Sequence, residues 1–132
     1  MAARTLIAES PASIYGTVVF ERYAQFEGRA RRAEFWWFHV VHLAVAFMIA
    51  LIGELDGIER LSQALLVLYF LGTIVPVVAV AVRRLHDTGR SGRTLLLALI
   101  PVIGPIILLV LYLSDGDAEM NDYGASPKYR WS

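Results

Sequence analysis

Arg83-Arg84-Leu85-His86-Asp87 sets two guanidinium groups, an imidazole and a carboxylate within five residues, and Arg29-Ala30-Arg31-Arg32-Ala33-Glu34 forms a second basic run ending in a carboxylate. Guanidinium forks match carboxylates and phosphates in bidentate fashion. These residues, with Arg90 on the same loop, therefore suit ion pairing through Glu34 and Asp87, or capture of an anionic group. His86 beside Asp87 also has the types of a general base and its orienting acid. Neighbours in sequence need not touch, however, and no nucleophile, metal-ligand set or phosphate cradle accompanies them. The expectation is a protein that is not an enzyme and needs no cofactor.

His39 and His42 stand one helical turn apart in an otherwise apolar stretch. Intramembrane imidazoles suit proton relay or metal binding, but two histidines without a carboxylate or cysteine partner make an incomplete metal set. Neutral rings bonded to neighbouring helices are the expectation, and no metal site is assigned. The absence of cysteine excludes disulfides, iron-sulfur clusters and thiol nucleophiles. The tail run Asp115 to Asn121 resembles a calcium loop only at its start, since Met120 replaces the required glycine and Ser126 the closing glutamate. It reads as a solvated acidic tail.

The elements that must position these residues follow from where charge is missing. The chain has 132 residues, 57% of them hydrophobic and 18% charged, with a mean hydropathy of +0.55, which is too apolar for a water-soluble domain. A formal net charge of zero leaves no basic surface for nucleic acid. Three windows, residues 35–53, 61–82 and 94–113, carry no Asp, Glu, Lys or Arg. At about 1.5 Å of rise per residue each is roughly 30 Å long, the thickness of a bilayer's hydrocarbon core. In the third window 14 residues are Leu, Ile or Val, which favours insertion by about 4 to 8 kcal/mol. The expected fold is an all-α integral membrane protein with three transmembrane helices spanning 35–113, a lead-in at 1–34 and an acidic tail at 114–132.

Nine Lys and Arg lie in the lead-in and the second connection, and three in the first connection and tail. The positive-inside rule then places the N-terminus and the Arg83 to Arg93 loop in the cytoplasm, and the C-terminus outside. Ser10-Pro11 reads as an N-cap with proline at the first helical position, opening an amphipathic helix to about Glu27. Its stripe of Ile14, Tyr15, Val18, Val19, Tyr23 and Phe26 can lie on the membrane interface or against the spans. Trp36 and Trp37, directly after the arginines, are expected as belt anchors. Pro76 frees the carbonyl of Gly72, and Pro101 and Pro105 interrupt the third window, so both helices should kink.

The runs Phe26 to Trp37, Arg83 to Gly92 and Leu99 to Gly104 together resemble the small bacterial inner-membrane proteins grouped as domain of unknown function 805, from about Tyr15 to Pro127. The resemblance implies a multi-pass protein of the bacterial inner membrane with no known activity. The chain departs from that pattern at Arg93-Thr94, where tryptophan is common, and at Met120 and Asp122 in the tail, whereas Asn121, Tyr123, Gly124 and Pro127 match.

The two motifs should meet on the cytoplasmic face, bringing Arg29, Arg31, Arg32 and Glu34 to Arg83, Arg84, His86, Asp87 and Arg90. The function expected of that face is non-enzymatic: a membrane interaction or accessory module engaging anionic lipid or a partner membrane protein, with homo-oligomers a further option for its contacts. The alternative is a small transporter or channel component acting as an oligomer.

Overall fold

A computed structural model describes residues 10–55 and 57–127; Arg4, Lys128 and Arg130, which entered the charge count, lie outside them. Among the described residues the regular structure is helical, apart from an isolated bridge between Asn121 and Gly124.

Helix α1, Pro11–Gly16, starts where Ser10 and Pro11 announce it, with the Ser10 hydroxyl accepting from the Ser13 amide at 3.1 Å. It continues as a π-helical turn, Thr17–Glu21, closed by the Arg22 amide on the Thr17 carbonyl at 2.9 Å. The helix thus stops at Glu21, short of the expected Glu27. Its apolar stripe faces the spans: Ile14 and Val18 are buried, and the Tyr15 ring stacks on Phe38 with centroids 5.5 Å apart. Phe38 lies about 9 Å along its own helix from Arg32, so α1 runs beside the spans instead of lying flat at their end.

Helices α2, Arg32–Ile52, and α3, Glu59–Asp87, realise the first two charge-free windows, and both are long and apolar enough to cross a membrane. Leu43, Phe47, Leu68 and Leu71 are each at least 60% exposed, a surface suited to lipid and not to water. At one end the pair closes tightly. Ser62 donates to the Ile49 carbonyl at 2.6 Å, and a Cβ on Gly53 would meet the Ser62 hydroxyl at 2.5 Å. At 29 residues α3 is about 44 Å long, longer than the roughly 30 Å of a bilayer's hydrocarbon core, and its last turn carries Arg83 to Asp87. The helix passes through Pro76, and the Tyr23 hydroxyl donates at 2.6 Å to the carbonyl of Gly72 that proline leaves unpaired.

The third window is the main revision. Residues 94–113 do not form one span: a 3-10 helix, Gly92–Leu99, is followed by a reversal and helix α4, Ile103–Leu113. Each arm is about 16 Å long, half a bilayer. The reversal sits at Val102, whose φ of 66° is a strained conformation for a β-branched residue. Gly104 lets the arms touch, since a Cβ there would lie 1.6 Å from the Leu97 carbonyl oxygen. Proline at 101 and 105 cannot supply the amides that would continue a helix through the turn. The chain therefore enters beside Val82, against which Gly92 packs, and returns to Ser114, whose carbonyl accepts from Arg84. Consequently the tail sits at the arginine end of α3, not at the opposite end as a third crossing requires.

Candidate functional site

Three segments converge at that end: the lead-in 28–34, the last turn of α3, and the tail 114–126. The Ala30 amide bonds the Arg83 carbonyl at 2.9 Å, which brings the two basic motifs together.

Asp87 is the hub. Its carboxylate accepts from Arg29 Nε at 2.8 Å and from Arg84 at 2.5 Å, with all three side chains at most 6% exposed. Its carbonyl accepts from Arg29 at 3.3 Å and from the Asp117 amide at 2.7 Å. Arg29 further donates to the carbonyls of Asp117 at 2.5 Å, Glu119 at 2.8 Å and Gly124 at 3.1 Å. All five guanidinium protons are thereby used, three of them on the tail. Arg84 holds the tail's start through the carbonyls of Tyr112, at 3.2 Å, and Ser114, and reaches the Ala30 carbonyl at 3.4 Å. A buried carboxylate shared by two guanidinium groups that are themselves bonded to carbonyls is an arrangement in which each desolvated charge has partners.

Glu34 forms a second node, accepting from Arg22 at 3.1 Å and from Arg83. Arg83 also bonds the Gln25 carbonyl at 3.0 Å, while its remaining nitrogen is buried without a hydrogen-bond partner among the described residues. His86 is not oriented by Asp87. Its Nδ1 donates to the Gly28 carbonyl at 2.9 Å, and its ring stacks on Tyr123 at a 3.9 Å centroid separation. Asn121 donates to the His86 carbonyl at 2.9 Å. The imidazole thus acts as a platform for the tail.

The other arginines near this end are more exposed. Arg32 is exposed and pairs with exposed Asp115 at 3.3 Å, Arg31 is half-buried, Arg90 is exposed on the loop after α3, and Arg93 is exposed in the first turn of the 3-10 helix. The expected arginine-rich face is therefore divided: Arg29, Arg83 and Arg84 build the interior, and four others stay at the surface. Between the two sets lies a cleft of about 280 Å³, lined by Arg31, Arg32, Arg84, Asp87, Asp115 and Ser126, among others.

Of the expected belt residues, Trp37 points outward, whereas Trp36 packs edge-on against Phe35 with its indole nitrogen buried and unpaired among the described residues. His39 and His42 serve different partners. His39 Nδ1 donates to the Phe35 carbonyl at 2.8 Å, and His42 Nδ1 meets the Tyr69 hydroxyl at 2.9 Å, which in turn meets Tyr15 at 2.6 Å. This chain ties α1, α2 and α3 together part-way along the helices. Among the described residues no group of three His, Cys, Asp or Glu is placed to hold a metal ion.

Tyr112, Ser114, Asp117, Asn121 and Tyr123 belong to the site and were missed by sequence reasoning, which read the tail as solvated and remote. Asn121, Tyr123 and Gly124 are the tail positions that match the family pattern, and that match was the available signal.

The comparisons place the chain among inner-membrane proteins. Residues 23–125 match the family model described as protein of unknown function, DUF805. The inner membrane protein YhaI of Escherichia coli strain K12 is 43% identical over 111 residues, covering 84% of this chain and 92% of that protein. The inner membrane protein YhaH of the same strain is 38% identical over 112 residues, covering 83% and 93% respectively. No solved structure matches.

Proposed function

The chain belongs to the DUF805 family of proteins of unknown function, and from that premise we propose that it is a non-enzymatic accessory module of the bacterial inner membrane that engages anionic lipid through a cytoplasmic arginine face. The observation that carries this reading is the division of the arginines. The Asp87 and Glu34 nodes consume Arg29, Arg83 and Arg84, whereas Arg32, Arg90 and Arg93 are exposed and Arg31 is half-buried, and Trp37 also points outward. That is a basic and aromatic rim of the kind that meets headgroups. Of the nine Lys and Arg among the described residues, eight belong to the lead-in, the last turn of α3 and the connection after it, the other being Arg60. That asymmetry is the positive-inside bias of a cytoplasmic arginine end.

The test is to count anionic lipids retained by the full chain after mild detergent extraction, using native mass spectrometry. At about 1 kcal/mol per arginine near an anionic surface, replacing Arg31, Arg32, Arg90 and Arg93 by Gln should lower retention by two orders of magnitude or more. Unchanged retention overturns the reading.

A second reading, a small transporter or channel component, is favoured by the broken segment at Val102, since interrupted helices at membrane depth build transport sites. Ion or proton flux in liposomes that disappears with His42→Ala would establish it over the first.

A further inference from the structure

We propose that the exposed reversal from Ala98 to Ile103 is a contact between two copies of this chain, in which each turn supplies the backbone partners that the other lacks. Such a dimer does not depend on whether the arginine face meets lipid.

Val102, with φ 66° and ψ −59°, is the central residue of a γ-turn of the rare, strained hand, closed by the Ile103 amide on the Pro101 carbonyl at 2.7 Å. Strain of this kind persists where the surroundings impose it. Within one copy the turn is not enclosed, since Ile100, Pro101, Val102 and Ile103 are all exposed.

The same turn leaves backbone groups open. Pro101 has no amide to give the Ala98 carbonyl, and the Ile103 amide goes to Pro101 instead of Leu99. The carbonyls of Ile100 and Val102 are taken by the amides of Gly104, at 3.1 Å, and Ile106, at 3.3 Å. The Ala98 and Leu99 carbonyls and the Val102 amide are therefore without a backbone hydrogen bond among the described residues. At membrane depth, irregular backbone is tolerated where it is buried in protein or lines a water-filled cavity. Water suits this turn poorly, because the side chains around the open groups are Leu99, Ile100, Val102 and Ile103, 46% to 78% exposed. Acyl chains offer neither donor nor acceptor. Protein is the remaining cover.

A second copy fits that place. One turn carries both an open donor and open acceptors, so two turns facing each other across a two-fold axis can exchange bonds from the Val102 amide to the carbonyl of Ala98 or Leu99 reciprocally. Both copies insert under the same positive-inside bias, and an axis along the membrane normal then sets the two turns at one depth. Ala98 is exposed and its side chain ends at Cβ, which leaves room for another backbone to approach. A partner of different sequence would have to present the same pair of groups at that depth.

The chain has no cysteine, so the full chain carrying one introduced cysteine can be oxidised in intact membranes. Leu99→Cys and Val102→Cys should form disulfide-linked dimers at least about tenfold faster than Leu43→Cys and Ile74→Cys, exposed positions roughly 16 to 20 Å along α2 and α3 from the arginine end. In the Leu99→Cys protein, Ala98→Phe should lower the dimer yield by about tenfold or more by blocking the approach, whereas Val110→Phe, at an exposed position of α4 away from the turn, should leave it within about twofold. Equal rates at all four cysteine positions mean random collision and overturn the proposal, as does an unchanged yield with Ala98→Phe. A crosslink from position 102 to a chain of different mass overturns it in favour of another partner. Labelling of Val102→Cys by a membrane-impermeant maleimide overturns it in favour of a water-lined turn.

Discussion

The hydroxyl of Tyr23 donates to the carbonyl of Gly72 at 2.6 Å, the one backbone acceptor in α3 that Pro76 deprives of its amide. An acceptor left open in an apolar setting is costly, and a lead-in tyrosine supplies the missing donor. Tyr23→Phe should destabilise the protein by about 1 kcal/mol. In a Pro76→Ala background, where the helix regains the amide, the same change should have almost no effect. Thermal melts of the four proteins in one detergent form the double-mutant cycle, and additive losses would remove the assigned role of the bond.

Asp87 joins Arg29 and Arg84 at a point with almost no solvent. Asp87→Asn leaves two buried guanidinium groups without their counter-charge, a loss of about 3 to 5 kcal/mol. The tail should detach with it, because Arg29 and Arg84 bond five of its carbonyls or those leading into it. Limited proteolysis between Ser114 and Ser126 should accelerate in Asp87→Asn and in Arg29→Lys, since an ammonium cannot reproduce the planar five-donor fork. Equal cleavage rates would show that the tail is held by something else.

The return of residues 92–113 to the arginine end sets the sidedness of the tail. The chain contains no cysteine, so single introduced cysteines report without background. Glu54→Cys, Arg90→Cys and Glu119→Cys all lie at exposed positions. A membrane-impermeant maleimide should treat positions 90 and 119 alike and label 54 from the opposite side. If 119 is labelled together with 54, the hairpin reading is wrong and the third window crosses.

Gly104 is the closest contact between the hairpin arms. A Cβ would lie 1.6 Å from the Leu97 carbonyl oxygen, so backbone must move. Gly104→Ala should destabilise by about 1 to 3 kcal/mol, as overpacking does. Gly72→Ala, where a Cβ meets nothing within 4 Å, should be neutral or raise stability by up to about 1 kcal/mol. Chemical denaturation in mixed micelles separates the two.

What could be read from the chain differs by segment for physical reasons. Absence of charge over 35–53 and 61–82 located α2 and α3, because the bilayer excludes charge whatever the packing. Ser10 and Pro11 located the start of α1 through local hydrogen bonding alone. The meeting of Arg29 with Asp87 and of Arg83 with Glu34 follows once the two helices run antiparallel. The third window misled because hydropathy counts apolar length and is blind to a reversal inside it. Pro101, Gly104 and Pro105 signalled a break, but turning back required Val102 to take a positive φ. The tail was read as solvated because its carboxylates are conspicuous. The groups that bind it are main-chain carbonyls at 117, 119 and 124, which every residue possesses and composition does not register.

The short arms of 92–113 and the placement of α1 beside Phe38 have a consequence for the surrounding lipid. Near the arginines five segments pack together, while near Ser62 only α2 and α3 remain. The described body is thus broader at its arginine end, and in a bilayer such a form would displace unequal numbers of acyl chains from the two monolayers.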